Sequence, residues 1–277
     1  MLNYFQKTKI VNNTFIYKRA TLADFREAID EYGWVVYEKA INSKLISEIT
    51  TGFETSCLLR REIQVLNGID ENMEGTLDHL LEKDNFAIEL LSKFYCHREI
   101  RDFLGGNYIL NGINGVINTK KSNSYIQNIH RDIRTFSSES RYMIQMIIVL
   151  DDFTIFNGAT HFLSGSHKLD IKPDEKHFNA FAKQAIAKKG SIILFDSNIW
   201  HAGGINYTRK HQRALTLGFT KPYIKQQFDY PRFLGYDFGE KIDNDLRQII
   251  GYNARVPASL QEYYMPVENR MYKADQG

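Results

Sequence analysis

The stretch 126-IQNIHRDIRTF-136 sets a histidine and an aspartate two residues apart, His130 and Asp132, with Arg131 between them. In an extended chain the side chains at i and i+2 share a face, so one imidazole nitrogen and one carboxylate oxygen can meet the same cation. A third donor would complete a two-histidine, one-carboxylate set. Such a set leaves adjacent positions open on non-haem Fe(II), and the same donors also make an open Zn2+ site carrying a water. His201 is the best third donor. It closes 190-GSIILFDSNIWH-201, an apolar strand that breaks at Asp196-Ser197-Asn198 and resumes, and Gly203-Gly204 behind it permits close backbone approach. Asp196 is a candidate acceptor for a ligand imidazole, and Trp200 a candidate ring to stack beside the set.

His130-Arg131-Asp132 and Asp237-Phe238-Gly239 also match two protein-kinase triplets, but the rest of that signature is missing. Position 137, where a catalytic loop needs asparagine, is Ser137, and no glycine-rich phosphate loop lies upstream. Asp237-Phe238-Gly239 therefore reads as a surface turn. Further on, Arg213 opens the apolar run 213-RALTLGF-219. An inward-pointing guanidinium there needs a charged partner, such as a dicarboxylate ligand; an edge-strand arginine paired with a surface acid is the other reading. An inward Arg213 favours an oxygenase over a zinc hydrolase, which has no use for a dicarboxylate clamp.

These residues must be held by a sheet. From about Tyr108 onward, 142-YMIQMIIVLDD-152, 159-ATHFL-163, 190-GSIILFD-196, 198-NIWHAGG-204 and 213-RALTLGF-219 are short β-rich runs divided by turn residues, the pattern of a sandwich or barrel. The first hundred residues predict helices. One covers 21-TLADFREAIDEYG-33 with Thr21 as its cap, and a strand follows at 34-WVVYEKAI-41. Ser43 is a cap candidate for a second helix through Leu45, Ile49 and Phe53, and a third is predicted from about Leu77 to Phe103. A last helix is expected in 241-KIDNDLRQIIGY-252. With five prolines and no linker, a single domain is the simplest organisation: a helical part at about 20–105, a core at about 105–225 and a tail at 226–277.

The segments 127-QNIHRD-132, 151-DDFTIFNGATHFLSGSHK-168, 190-GSIILFDSNIWHAGG-204 and 213-RALTLGF-219 resemble, in order and spacing, the phytanoyl-CoA dioxygenase family of Fe(II)/2-oxoglutarate-dependent oxygenases. The resemblance spans roughly residues 105 to 225. It departs at Ser164, where the family usually has proline. The resemblance implies a mostly β fold with flanking α-helices, a double-stranded β-helix or jelly roll, in which His130, Asp132 and His201 bind Fe(II). It also implies that Arg213 pairs with the distal carboxylate of 2-oxoglutarate, with Gln127 and Thr160 as further cosubstrate contacts. The expected activity is a dioxygenase that consumes O2, hydroxylates an unactivated C–H bond of a small metabolite or natural-product intermediate, and releases succinate and CO2. Asp132 favours hydroxylation or desaturation over halogenation, because related halogenases lack that carboxylate. The alternatives are a zinc hydrolase built on the same three residues and a catalytically silent jelly-roll binding protein. Arg134, Phe136 and Trp200 are the candidate substrate contacts.

Composition agrees with a small-molecule partner. The 35 basic and 33 acidic residues are interspersed, so no basic face points to nucleic acid or membrane. Cys57 and Cys96 lack any metal-binding spacing and read as buried small hydrophobes. His161, His167 and His211 read as structural, since three donors already satisfy the set. Without an apolar leader or a segment near the ~20 residues of a membrane span, the chain is expected to be cytoplasmic.

Overall fold

The computed structural model describes residues 16–17, 20–71, 73–120 and 125–276. Among the described residues ten strands run Ile16–Tyr17 (β1), Trp34–Tyr37 (β2), Thr76–Leu77 (β3), Ile109–Asn118 (β4), Met143–Val149 (β5), His161–Phe162 (β6), Lys183–Gln184 (β7), Ile192–Asp196 (β8), His201–Ala202 (β9) and Gln212–Thr220 (β10). Seven form one sheet in the order β1-β2-β8-β5-β10-β4-β3, and three form a second in the order β7-β6-β9. All neighbours are antiparallel except β1 and β2.

Strand alternation gives the large sheet two different faces. Ile144, Met146 and Ile148 of β5, with Leu215, Leu217 and Phe219 of β10, pack on one side against a helical layer. Ile147, Val149, Ile193 and Phe195 point the other way, toward Ala159 and Phe162 of the small-sheet side. The helical layer holds Phe25 and Ile29 of Leu22–Glu31 (α1) and Ile46, Ile49 and Phe53 of Ser43–Leu66 (α2). It continues through Phe86–Ser92 (α3), His97–Leu104 (α4) and the late helix Asn244–Ile250. At 33% helix and 20% strand the chain is not mostly β; the sheets form the frame and the helices cover one face.

Thr21 caps α1 as predicted: its hydroxyl accepts from the Asp24 amide at 3.1 Å, and the Asp24 carboxylate accepts from the Thr21 amide at 2.8 Å. The cap of α2 is Asn42 and not Ser43, the Asn42 side chain accepting from the Leu45 amide at 2.9 Å. The predicted helix from Leu77 to Phe103 is instead strand β3 and two short helices. Phe94 and Cys96 stand between these helices at φ 51° and 56°, a left-handed backbone that no continuous helix contains. Asp237-Phe238-Gly239 is a turn but only partly at the surface: Asp237 is exposed and paired to Lys241 at 3.0 Å, while Phe238 packs on the core and Gly239 is buried against Tyr252. At Ser164 the hydroxyl accepts from the Trp34 indole N–H at 2.9 Å, a tie that proline could not make.

Candidate metal centre and its cavity

His130 and Asp132 reach one face by a route other than a strand. His130 forms an isolated antiparallel bridge to His201, the two exchanging backbone hydrogen bonds of 3.0 and 2.9 Å. The chain then bends, and the amides of Asp132 and Ile133 both donate to the Ser197 carbonyl, at 3.1 and 3.2 Å. The segment is thus fastened on both sides of Arg131 to the run that carries His201. The donor atoms of His130, Asp132 and His201 all lie within 4.8 Å of one another.

The protonation pattern follows from the neighbours. Nδ1 of His130 lies 2.8 Å from the Asn128 carbonyl and Nδ1 of His201 lies 3.1 Å from the Ile199 carbonyl. A carbonyl only accepts, so each Nδ1 carries the proton, and each neutral ring turns the Nε2 lone pair inward. Those Nε2 atoms stand 3.5 and 3.7 Å from the same Asp132 oxygen, too far for good hydrogen bonds. Three acceptors converging with no donor between them fit a cation. Burial works against charge on His130, but the Asp132 carboxylate outweighs it and moves that imidazole up. On His201 burial wins and brings it down to about 4, despite Asp132. Burial also opposes charge on Asp132, yet the two imidazoles, His201 foremost, hold it below the usual carboxylate range. Phe195 and Phe162 wall His201 at ring distances of 5.0 and 5.6 Å.

The trio opens into a cavity of about 880 Å3 between the sheets. Its floor is read from strand register: Gly112, Gly218 and Gln145 form one row across β4, β10 and β5, and Asn114, Thr216 and Ile147 the next. Asn118 and Gln212 end it on β4 and β10. Asp78, His79, Lys225 and Gln227 add to the wall. Gln145 and Gln212 are 8% and 3% exposed, yet neither side-chain amide has a hydrogen-bond partner among the described residues. Asn114 and Gln227 fall in stretches that the sequence marks for the pocket mouth, near Asn114 and at 226–238; the remaining cavity residues were missed. The available signal was the small or polar set Gln212, Ala214, Thr216, Gly218, alternating with large apolar residues.

Thr160 and Arg134 do line the cavity. Arg213 does not. It shares its face with Leu215 and Leu217, its Nε and Nη2 donate to Asp151 at 2.8 and 3.0 Å, and its Nη1 donates to Glu54 of α2 at 2.6 Å. The surface-acid reading is the one realised. Gln127 is likewise outside the lining, where Tyr125 and Ile126 stand instead. Trp200 faces away by strand alternation, buried with Leu163 and Phe178, and the Arg131 guanidinium lies 4.7 Å from its ring centre. Phe136 packs on that same guanidinium at 5.3 Å. Asp196 accepts from Asn198 and not from an imidazole. His167 is buried against the Asp30 carbonyl at 3.2 Å, away from the trio.

The model of the phytanoyl-CoA dioxygenase family matches residues 29–214, two thirds of the sequence. The chain belongs to this family. The chain is 34% identical over 148 residues to an uncharacterised protein of Mycobacterium tuberculosis, covering 53% of this chain and 54% of that one. It is 32% identical over 121 residues to an iron/alpha-ketoglutarate-dependent dioxygenase, penM, of Penicillium thymicola, covering 38% and 37%. The chain thus spans about half the length of the first of these relatives and less of the second. In fold it is similar to the non-haem monooxygenase ThoJ in its nickel complex, at a TM-score of 0.57 and 18% identity over 74% of this chain and 80% of that one. No helix among the described residues is long and apolar enough to cross a membrane.

Proposed function

We propose that this member of the phytanoyl-CoA dioxygenase family is an Fe(II)-dependent oxygenase of a small polar molecule, working as one domain built on a jelly roll. The observation that carries the reading is the convergence of His130 Nε2, His201 Nε2 and an Asp132 oxygen, all acceptors, at the head of a large cavity. Bound there, Fe(II) would supply the activation of O2, with a 2-oxo acid such as 2-oxoglutarate as the family's electron source. The chain's own contributions are orientation and exclusion of water. The Asn128 and Ile199 carbonyls fix both imidazoles, the Ser197 carbonyl fixes the Asp132 backbone, and Phe162 and Phe195 dry one side of the centre. The floor of amides and hydroxyls suits a substrate rich in hydrogen-bonding groups.

The donor set fits the metal. The fit to 2-oxoglutarate is incomplete: with Arg213 turned to the helices, no arginine or lysine among the described residues stands beside Gln212 to meet a second carboxylate. The preference for an oxygenase over a zinc hydrolase therefore rests on family membership and on experiment. The purified protein, loaded anaerobically with Fe(II) and exposed to O2 with 2-oxo acids and pools of polar metabolites, is expected to decarboxylate a 2-oxo acid and to yield a product heavier by one oxygen. Hydrolysis by the zinc form, with no oxygen-dependent loss of any 2-oxo acid in the iron form, would overturn this reading.

A further inference from the structure

The end of the cavity at Gln212 is built for a neutral group. Gln212 is 3% exposed, lines the cavity and has no hydrogen-bond partner for its amide among the described residues. Its ladder partner is Asn118, whose amide donates to the Gly204 carbonyl at 2.9 Å. Gly158 lies against that asparagine, and Thr160, two residues on, also faces the cavity. The arginine and lysine side chains of the cavity wall, Arg134 and Lys225, belong elsewhere. Arg134 lies beyond the bend that follows Asp132 and is exposed. Lys225 lies with Gln227 at the Gly112–Gly218 end, since its carbonyl accepts from Asn111 and a side chain at Gly112 would meet Gln227. Gln212 and Gly218 are about 20 Å apart along an extended strand.

A carboxylate buried at the Gln212 end would give up its hydration with no opposite charge from the described residues in return. A carboxamide offers both a donor and an acceptor, and so matches an uncharged polar group better than an anion. Resting on the oxygenase reading, we propose that Gln212 and Thr160 hold the tail of the 2-oxo acid cosubstrate by neutral hydrogen bonds. The centre then takes a 2-oxo acid with an uncharged, hydrogen-bonding tail at least as well as it takes 2-oxoglutarate.

The test is calorimetric titration of the Mn(II)-loaded chain, without O2, with 2-oxoglutarate and with its C5 methyl ester, which keeps the length and the carbonyl acceptor but removes the charge. The ester is expected to bind as tightly as the dicarboxylate or more tightly, and 2-oxoglutarate affinity is expected to change little between low and high salt. Gln212→Arg should shift the preference toward 2-oxoglutarate by tenfold or more, because a guanidinium binds a carboxylate bidentately. If that variant does not fold, Gln212→Glu serves in its place, and should weaken 2-oxoglutarate while sparing the ester. Wild-type protein that binds 2-oxoglutarate more than twofold tighter than the ester overturns the proposal and leaves the oxygenase reading standing. If Mn(II) binds and neither 2-oxo acid does, the oxygenase reading falls and the proposal falls with it.

Discussion

Asp132→Asn separates a metal centre from a structural ion-pair cluster by the sign of its effect. In the metal-free chain the Asp132 carboxylate, 24% exposed, faces two imidazole nitrogens 3.5 and 3.7 Å away whose protons are on the far side of each ring. Asparagine keeps the shape, removes the charge and offers an N–H to one Nε2. A hydrogen bond gained in place of an unpaired acceptor contributes about 1–2 kcal/mol. At about 2–4 °C per kcal/mol for a chain of this size, the metal-free melting temperature should rise by about 2–8 °C. If instead the imidazoles were charged partners of Asp132, breaking the cluster would cost about 3–5 kcal/mol and the melting temperature would fall. The metal-free arm is best run by calorimetry in EDTA at neutral pH, where imidazoles paired with Asp132 would still carry charge. In a second arm at neutral pH, Mn(II) at a hundred times its Kd should stabilise the wild type by about 2.7 kcal/mol. The variant should lose most of that gain. A variant less stable than wild type in EDTA, or one stabilised by Mn(II) as much as wild type, would refute the reasoning.

Arg213→Ala removes the clasp from β10 to Asp151 and Glu54 and should lower unfolding stability by about 1–2 kcal/mol in urea titration. It should leave the Mn(II)-induced shift unchanged; loss of that shift would return Arg213 to the site. At Gly158, φ is 91° and an added Cβ would meet the Asn118 amide at 2.2 Å and the Gly204 carbonyl at 2.7 Å. Gly158→Ala should therefore cost about 2–4 kcal/mol, read as a fall in melting temperature. Burial lowers the imidazole of His167 to about 4, so the unfolded chain, with a histidine near 6.5, takes up its proton first. The stability tied to this residue is complete above pH 6.5 and is lost as pH falls toward 4, about 3 kcal/mol in all. The stability difference between wild type and His167→Leu should follow that window, and a flat difference would exclude it.

The convergence of His130, Asp132 and His201 could be read from the sequence because its information is local: a His-x-Asp pair, and a histidine closing an apolar run before two glycines. The first helix could be read for the same reason, its capping box lying within four residues. What failed was set by tertiary contacts. The span from Leu77 to Phe103 is apolar at helical spacing. Yet Thr76 and Leu77 are drawn into the sheet beside Val116 and Gly115, the Leu80 amide donates to the Ile113 carbonyl, and left-handed Phe94 and Cys96 separate the two helices that remain. No short-range pattern announces a two-residue strand recruited by a distant edge. Likewise, the expectation that His130 and Asp132 share a face held although the strand meant to align them is only a bridge. The Ser197 carbonyl, 65 residues further on than Asp132, supplies the alignment.

Arg213 shows where motif reading needs strand parity. In β10 a shift of one residue exchanges the two faces of the sheet, so Gln212 and Arg213 are not interchangeable positions for a side chain that must enter the cavity. The parity was written in the residues that follow. Leu215, Leu217 and Phe219 stand at even steps from Arg213 and are the size that fills a helix-packed face; Ala214, Thr216 and Gly218 stand at even steps from Gln212 and are the size that leaves room for a ligand. A guanidinium sharing the leucine face meets whatever acid lies under the helices, here Asp151 and Glu54, and is held before any ligand arrives. The residue left facing the cavity is a neutral amide. On the proposed oxygenase reading, the identity of the cosubstrate tail turns on a one-residue difference in a β-strand, and the charge of that tail is the property to measure first.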